Sequence, residues 1–488
     1  MSQEDFRIYA IIALTTLHWM LVIGLSLRVI MRRRPVGVLL AWIAIILSIP
    51  VLGVLLYLFV GENRISSKYI KRFRGNQELY GQWQQSLRTR SAVDWSGMSP
   101  GAFPLCRQAE TVFGFPALQG NRVQLLSDYE TIFRSIIEAI NQCRSTCHLE
   151  FYIWYPGGLA DELADALIKA AHRGVVCRVL VDALGSKAFL KSDLYGRLGN
   201  AGVRIGVSLP VGIFSTLFSR ADLRNHRKIA VIDGGVAYTG SQNLVDPRYF
   251  KQDEGVGQWI DAMLRIEGPA VEALGGVFLQ DWEVVTGASL TRLEECHDAA
   301  PVGEQGPVVL QAMPSGPARK PLAILQLLLS TFYAARRELV VTTPYFVPED
   351  SLLTALVSAA HRGVAVTVVL PEKNDSRLVD HASRAVFEDL LDAGVTIAAF
   401  RGGLLHTKSV TVDGEFCLFG SVNLDMRSLW LNFEISLMIY NREVTAQLRE
   451  LQAGYIRNSD LLDEHIWRQR PLTRRFMEQL THLAAPLL

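Results

Sequence analysis

Residues 148–154 read HLEFYIW, residues 160–175 ADELADALIKAAHRGV and residues 177–183 CRVLVDA; residues 338–346 read ELVVTTPYF, residues 349–364 EDSLLTALVSAAHRGV and residues 365–375 AVTVVLPEKND. One plan is stated twice. A β-rich apolar run leads into an alanine-rich run with an acidic start, which ends in AAHRGV at 170–175 and again, 189 positions later, at 359–364. A second apolar run follows, then AGVRI (201–205) or AGVTI (393–397). These are strand, helix, strand units. Their strands are the near-continuously apolar kind buried in a parallel or mixed sheet, and Gly174 and Gly363 stand where a helix C-cap takes positive φ. The fold class is α/β, with two duplicated lobes related by a pseudo-twofold axis, residues 121–300 and 301–488. The seam between them is where residues of one lobe can face those of the other. His172 and His361 also recur, but each ends a helix beside Arg and Gly, where a cation meets exposed carbonyls favourably, so their role reads as structural.

Upstream of the duplication lie two apolar runs, IYAIIALTTLHWMLVIGLSL (8–27) and VGVLLAWIAIILSIPVLGVLLYLFV (36–60). A helix rises about 1.5 Å per residue and the hydrocarbon core of a bilayer is about 30 Å thick, so each run is long enough to cross. Residues 1–62 therefore read as a transmembrane helical hairpin with spans at about 8–27 and 36–60. The competing reading is a cleaved signal peptide; Glu4 and Asp5 stand where such a peptide is basic, and a second run follows at once. Pro50 is tolerated in a membrane helix as a kink. Arg28, Arg32, Arg33 and Arg34 pull the connecting turn toward the cytoplasm, whereas Arg64, Lys68, Lys71, Arg72 and Arg74 pull the far end of the second span the same way. For a two-span hairpin these demands conflict, and the side of the remaining chain stays open. Residues 63–120 read as a juxtamembrane module whose basic start suits anionic headgroups.

The bulk numbers fit this division. A chain of 488 residues suits one large or two medium domains. A net charge of +1 lacks the basic excess of a protein that grips a nucleic acid backbone, so no nucleic acid partner is expected. A hydrophobic share of 49% and a mean hydropathy of +0.19 lean toward the membrane class. The six cysteines, Cys106, Cys143, Cys147, Cys177, Cys296 and Cys417, form no Cys-x-x-Cys. Cys143 and Cys147 with His148 have no second cluster to close a tetrahedral site, so no zinc, other metal or cofactor is implied.

The chemistry lies in a second repeated element. Residues 224–243 read RNHRKIAVIDGGVAYTGSQN and residues 404–423 read LLHTKSVTVDGEFCLFGSVN. Both contain His-x-Lys, four residues, Asp-Gly, then Gly-Ser-x-Asn. His226 and Lys228, like His406 and Lys408, are two apart and share one face of a strand. Asp233-Gly234 and Asp413-Gly414 read as hairpin turns, with Asp bonding nearby amides and Gly at positive φ. The return strands bring Ser241 with Asn243, and Ser421 with Asn423, back toward the His-Lys pairs. Two lysines, two serines and two asparagines can grip the equatorial oxygens of a phosphodiester without a metal. One imidazole can attack phosphorus while the other protonates the leaving alkoxide and later activates the incoming alcohol. Neither copy alone supplies both a nucleophile and an acid, which accounts for the duplication; which histidine attacks is not written in the spacing.

The paired frames resemble the signature of the phospholipase D superfamily, in which two α/β lobes meet at one site, one histidine becomes phosphorylated and the other serves as acid and base. His226, Lys228, Asp233, Ser241 and Asn243 match in the first half, and His406, Lys408, Asp413, Ser421 and Asn423 in the second. Over almost the whole chain the similarity is to bacterial cardiolipin synthases of the two-span type, carried by the N-terminal apolar runs, RNHRK (224–228), TPYFVPED (343–350), HTKS (406–409), GSVNLDMRS (420–428), NFE (432–434) and WRQRPL (467–472). The resemblance implies a multi-pass protein of the bacterial inner membrane that condenses two phosphatidylglycerol molecules into cardiolipin and glycerol among anionic lipids. It makes the two His, Lys and Asp sets catalytic, with the lysines, serines and asparagines on the phosphate. It further implies that Asp261 and Glu434 orient the histidines across the seam, Glu434 fitting the pattern better, and it favours His226 as nucleophile with His406 as acid and base.

Competing readings are a phospholipase D or a phosphatidylserine synthase with the same frames, a nuclease of the superfamily, and a membrane scaffold without activity; the last has no use for ten frame residues. Tyr345, Phe346 and Trp430 either line a lipid cleft or pack lobe against lobe. Residues 466–488 mix Trp, Arg and Leu in a manner that suits a helix at a membrane surface or a cover for the core.

Overall fold

The computed structural model describes residues 3–32, 36–49, 51–61, 64–210, 220, 222–288, 300–320 and 322–483. Arg33, Arg34, Pro50, Cys296 and the last five residues of the C-terminal run lie outside that set. The chain divides into two compact units, residues 1–67 with 211–223, and residues 68–210 with 224–488.

In the first unit, helix α1 (Gln3–Ile30) contains the whole of the first apolar run, and among the described residues it is the one helix long and apolar enough to cross a membrane. The second run departs from the single span expected at 36–60. It forms α2 (Val36–Ser48), then α3 (Leu52–Leu56) and a π-helical turn, Tyr57–Gly61. Trp42 and Tyr57 would be about 22 Å apart along one straight helix; instead their rings meet edge to face with centroids 5.4 Å apart. A Cβ on Gly53 would lie 2.3 Å from the Ile45 carbonyl oxygen, so α3 crosses α2 backbone to backbone. The run therefore doubles back on itself. Val51, with φ of 62°, stands at the reversal. Ile46, Val54 and Tyr57 are buried in the resulting turn.

The second unit is built on one continuous sheet. Its strands are β1 (Leu118–Leu126), β2 (Thr146–Phe151), β3 (Val176–Asp182), β4 (Arg204–Ser208), β5 (Ile229–Ile232), β6 (Val236–Gly240), β7 (Met263–Glu267), β8 (Val308–Ser315), β9 (Glu338–Thr342), β10 (Ala365–Pro371), β11 (Thr396–Phe400), β12 (Ser409–Val412), β13 (Phe416–Gly420), β14 (Glu434–Ile439) and β15 (Ser459–Leu461). They are ordered β15-β11-β10-β9-β12-β13-β14-β8-β1-β7-β6-β5-β2-β3-β4. Read outward from the antiparallel β1–β8 pair, the two halves repeat one topology, β1-β7-β6-β5-β2-β3-β4 against β8-β14-β13-β12-β9-β10-β11. This is the duplication expected from the sequence, with β2–β3–β4 and β9–β10–β11 parallel and the remaining pairs antiparallel.

The repeated helical runs are α4 (Leu159–His172) and α6 (Asp350–His361). Gly174 and Gly363 end them at φ of 90° and 85°, and Val175 and Val364 donate back to the carbonyls of Ala170 and Ala359, as in a Schellman cap. His172 and His361 are exposed at those ends. Helices α5 (Ala270–Thr286) and α7 (Arg442–Arg457) contribute to an apolar cluster that unites Ile229, Leu264 and Val277 of the first lobe with Cys417, Ile435 and Leu448 of the second. That shared core fixes the lobes against each other.

Residues 68–120 belong to the large unit. Tyr80, Trp83 and Leu87 are buried in the shared core, Tyr80 donates to Glu283 and Trp83 Nε1 to Glu272 of α5, and Leu105 and Cys106 join the second lobe's core. Two buried carboxylates of α5, Glu272 and Glu283, so receive donors from this segment, which ties it into the large unit.

Candidate active site

The two His-x-Lys segments are each laid beside a strand end of the opposite lobe. His226 N–H donates to the Phe433 carbonyl at 2.8 Å, and Phe433 N–H returns to Arg224 at 2.9 Å. In the second lobe, His406 N–H donates to the Ile260 carbonyl at 2.8 Å, beside a short parallel ladder of Leu404–Leu405 with Trp259–Ile260. The next residue along each supporting segment is an acid, Glu434 or Asp261. The exchange is therefore crossed. His226 Nδ1 meets Glu434 Oε2 at 2.8 Å, and His406 Nδ1 meets Asp261 Oδ1 at 2.7 Å. With Nδ1–H held by a carboxylate, Nε2 of each ring is the nitrogen left for chemistry.

Lys228 Nζ donates to its own His226 carbonyl at 2.7 Å, and Lys408 Nζ to the His406 carbonyl at 2.5 Å. One of three ammonium hydrogens is thereby spent, leaving each lysine donors for an anion. All four groups are buried. Burial lowers both imidazoles to about 4, with Glu434 opposing at His226 and Asp261 at His406, while Lys228 and Lys408 each press on both rings. Burial lowers Lys228 to about 8 and Lys408 well below its ordinary value, and Glu434 and Asp261 oppose this at both lysines. Burial also raises the two carboxyls, but the paired histidine and then a lysine outweigh it and leave both below the ordinary range. Histidines 180 positions apart in the chain thus share one electrostatic environment.

The asparagines and serines divide. Asn243 accepts from the Ile153 amide at 3.1 Å, and its buried Nδ2 has no partner among the described residues; Asn423 likewise keeps a buried, unpartnered Oδ1. Asn243 is thus a free donor beside the site. The serines, expected on the phosphate, are turned to the acid-bearing segments. Ser241 Oγ donates to the Ala262 carbonyl and accepts from the Ala262 amide, and Ser421 Oγ donates to Glu434 Oε2 at 2.5 Å while accepting from the Ile435 amide. The glycines before them leave room for this contact: a Cβ on Gly240 or Gly420 would lie 2.4 Å from the carbonyl oxygen of Ala262 or Ile435.

Asp233 and Asp413, expected to be catalytic, are not brought to the histidines. They sit in the hairpin turns at φ of 50° and 55°, about 16 Å along an extended strand from the lysine five residues before. Asp233 accepts from the amides of Arg144, Ser145 and Thr146, and Asp413 from those of Arg336, Arg337 and Glu338. Each carboxylate satisfies the amides at the start of the neighbouring strand, β2 or β9. Their work is to lock the hairpin to the sheet.

Several contributors escaped the sequence reading. Asn432 donates to Glu434 Oε1 at 3.2 Å, and buried Arg227 donates to the Glu434 carbonyl at 3.0 Å while pairing with Asp281 of α5. Tyr152 presents its ring to His226 with centroids 5.0 Å apart, and Trp259 lies 4.4 Å from His406. Tyr345, which the sequence did single out, flanks His406 at 6.5 Å, and its hydroxyl donates to Asp375 at 3.0 Å. Tyr152 and Tyr345 follow the equivalent strands β2 and β9, and this recurrence was the available signal. Of the other two aromatics, Phe346 is core and Trp430 packs against it.

A family description reading cardiolipin synthase, PLD-like domain matches residues 136–282 and 328–453, one stretch in each lobe, and one reading phospholipase D-nuclease N-terminal matches residues 20–62. Cardiolipin synthase A of Cronobacter sakazakii is 44% identical over 474 residues, covering 96% of this chain and 97% of its own. Cardiolipin synthase A of Yersinia pseudotuberculosis is 44% identical over 471 residues, with the same coverage of both chains. The crystal structure of phosphatidylserine synthase from Haemophilus influenzae Rd KW20 shares the fold with a TM-score of 0.59 at 16% identity, over 79% of this chain and 100% of its own. Matched in both lobes and along nearly its full length, this chain belongs to the family of cardiolipin synthases built on phospholipase D-like domains.

Proposed function

We propose that this membrane-associated enzyme forms cardiolipin by transferring a phosphatidyl group from one phosphatidylglycerol to a second, with release of glycerol. The crossed pairing of His226 with Glu434 and of His406 with Asp261 supports the reading, because it leaves Nε2 free on two rings, one from each lobe, that both feel Lys228 and Lys408. His226 Nε2 attacks phosphorus, and the bond to glycerol breaks as His406 Nε2–H gives the departing oxygen its proton. The terminal hydroxyl of the second phosphatidylglycerol then loses its proton to His406 and displaces His226, so both histidines return to their starting state. Lys228, Lys408 and Asn243 hold the nonbridging oxygens as charge redistributes. A bound diester anion raises the proton affinity of both rings, so the imidazolium needed as acid forms when substrate arrives. Transfer outruns hydrolysis where the lipid alcohol occupies the position water would use. We read the location as the bacterial inner membrane, with α1 as the spanning element.

The test is the product spectrum of the full chain in vesicles of phosphatidylglycerol. Cardiolipin and glycerol in equal amounts are expected. Phosphatidic acid as the main product would make the protein a phospholipase, and phosphatidylserine formed preferentially on addition of serine would make serine its acceptor.

A further inference from the structure

The helix Leu472–His482, here α8, is attached to the large unit by its polar side. Glu478 is fully buried and pairs with Arg470 at 3.2 Å and Arg474 at 3.3 Å. Arg475 reaches Glu388 at 3.2 Å, and Gln479 donates to the Ala385 carbonyl at 3.2 Å. At 100° per residue these side chains occupy one arc of the helix. The opposite arc carries Leu472, Phe476, Met477, Leu480 and, just past the last turn, Leu483, which are 79, 66, 48, 48 and 75% exposed. Burying the apolar stripe and wetting the polar one is the usual arrangement on a soluble body, and α8 has it inverted. Such an arrangement is stable only with an apolar phase outside.

We propose that α8 is an interfacial membrane helix: its exposed arc lies among the acyl chains of the bilayer, giving the catalytic unit an attachment to lipid besides the N-terminal helix. Size argues against a second copy as the occupant. An eleven-residue helix is about 16 Å long, and one face of that length falls short of the roughly 800 Å² per partner that a stable pair of proteins buries. Charge agrees with lipid. Arg474, with its side chain 47% exposed, borders the apolar arc, where anionic headgroups would meet it, while the acid within the helix, Glu478, is buried away from it. The sequence continues in the same character after Leu483, as AAPLL (484–488). The inference concerns attachment and is independent of which product the site makes.

The experiment uses the full chain, with Cys296→Ser and its buried cysteines retained, reconstituted in vesicles of phosphatidylglycerol and phosphatidylethanolamine. A fluorophore on Phe476→Cys is expected to be quenched by lipids brominated in the acyl chains and shielded from aqueous iodide. Quenching by iodide without quenching by brominated lipid overturns the proposal. So does shielding from both quenchers when the unlabelled variant also cross-links chain to chain through the introduced thiol, which would identify a second copy as the occupant. A second readout needs no label. The double variant Phe476→Asp, Leu480→Asp replaces exposed side chains, so its melting temperature should stay close to wild type. In mixed micelles it should need about tenfold more surface lipid for half-maximal rate at unchanged kcat. An unchanged lipid dependence would contradict the proposal.

Discussion

A buried imidazole beside two ammonium groups is hard to protonate, and His226 and His406 are both in that situation. With His226 lowered to about 4, the nucleophile stays unprotonated through the neutral range; with Lys228 lowered to about 8, the phosphate grip begins to discharge just above it. Because kcat/KM reports the free enzyme, in which the acid His406 is also lowered to about 4, it should fall as pH rises from about 4 and fall further through about 8 as Lys228 discharges. A profile limited on the acid side near the ordinary histidine value would show that burial does not set these groups. Replacing His226 or His406 by alanine should each cost about a thousandfold or more in turnover while the protein stays folded, as judged by melting temperature; substantial activity in either would end the two-histidine scheme. The aspartates behave differently. Asp233→Asn removes a carboxylate that serves three backbone amides, so it should destabilise by about 1–3 kcal/mol and leave turnover of the folded protein near wild type. Glu434→Gln should keep the fold but lower kcat about a hundredfold or more, since the amide cannot hold Nδ1–H with a charge. The sequence showed His226, Lys228, His406 and Lys408 clearly, because their pairing recurs intact. Its residues read Asp233 as a turn aspartate bonding nearby amides, as found, while the family likeness made it catalytic; position in a frame does not say at which end of the strand the site lies.

At the scale of elements, strands and helices of the duplication were legible from apolar runs and from the glycines that end α4 and α6, since both signals are local. The doubling back of the second apolar run was not. Its length permits a span, and only the contact of Trp42 with Tyr57 and the fit of Gly53 against Ile45 reveal the turn. Helix α2, with thirteen residues, is about 20 Å long, short of the hydrocarbon core. If the chain crosses once, at α1, then Arg28, Arg32, Arg33 and Arg34 lie on the same side as Arg64 and Lys68, and the conflict between the two basic groups disappears. In spheroplasts the variant Glu4→Cys should react with an impermeant thiol reagent, and Ser66→Cys only after permeabilisation. Reaction of both from the same side would restore two full spans.

At the scale of the molecule, one sheet runs through both lobes by the β1–β8 pair, and α5 and α7 share a core with both. That continuity brings the acid-bearing end of each lobe to the histidine of the other. The duplication and the existence of a seam could be read from the repeats. The crossed partners rested on family likeness alone, because they depend on which strand ends meet across the shared core. A phosphatidyl ester of p-nitrophenol tests the central claim most directly, since its leaving group needs no acid. With His406→Ala, our account predicts a burst of one nitrophenolate per active site and a phosphoryl label retained on His226, because the base that would activate the second alcohol is gone. Absence of a burst, or label recovered on any other residue, would contradict it.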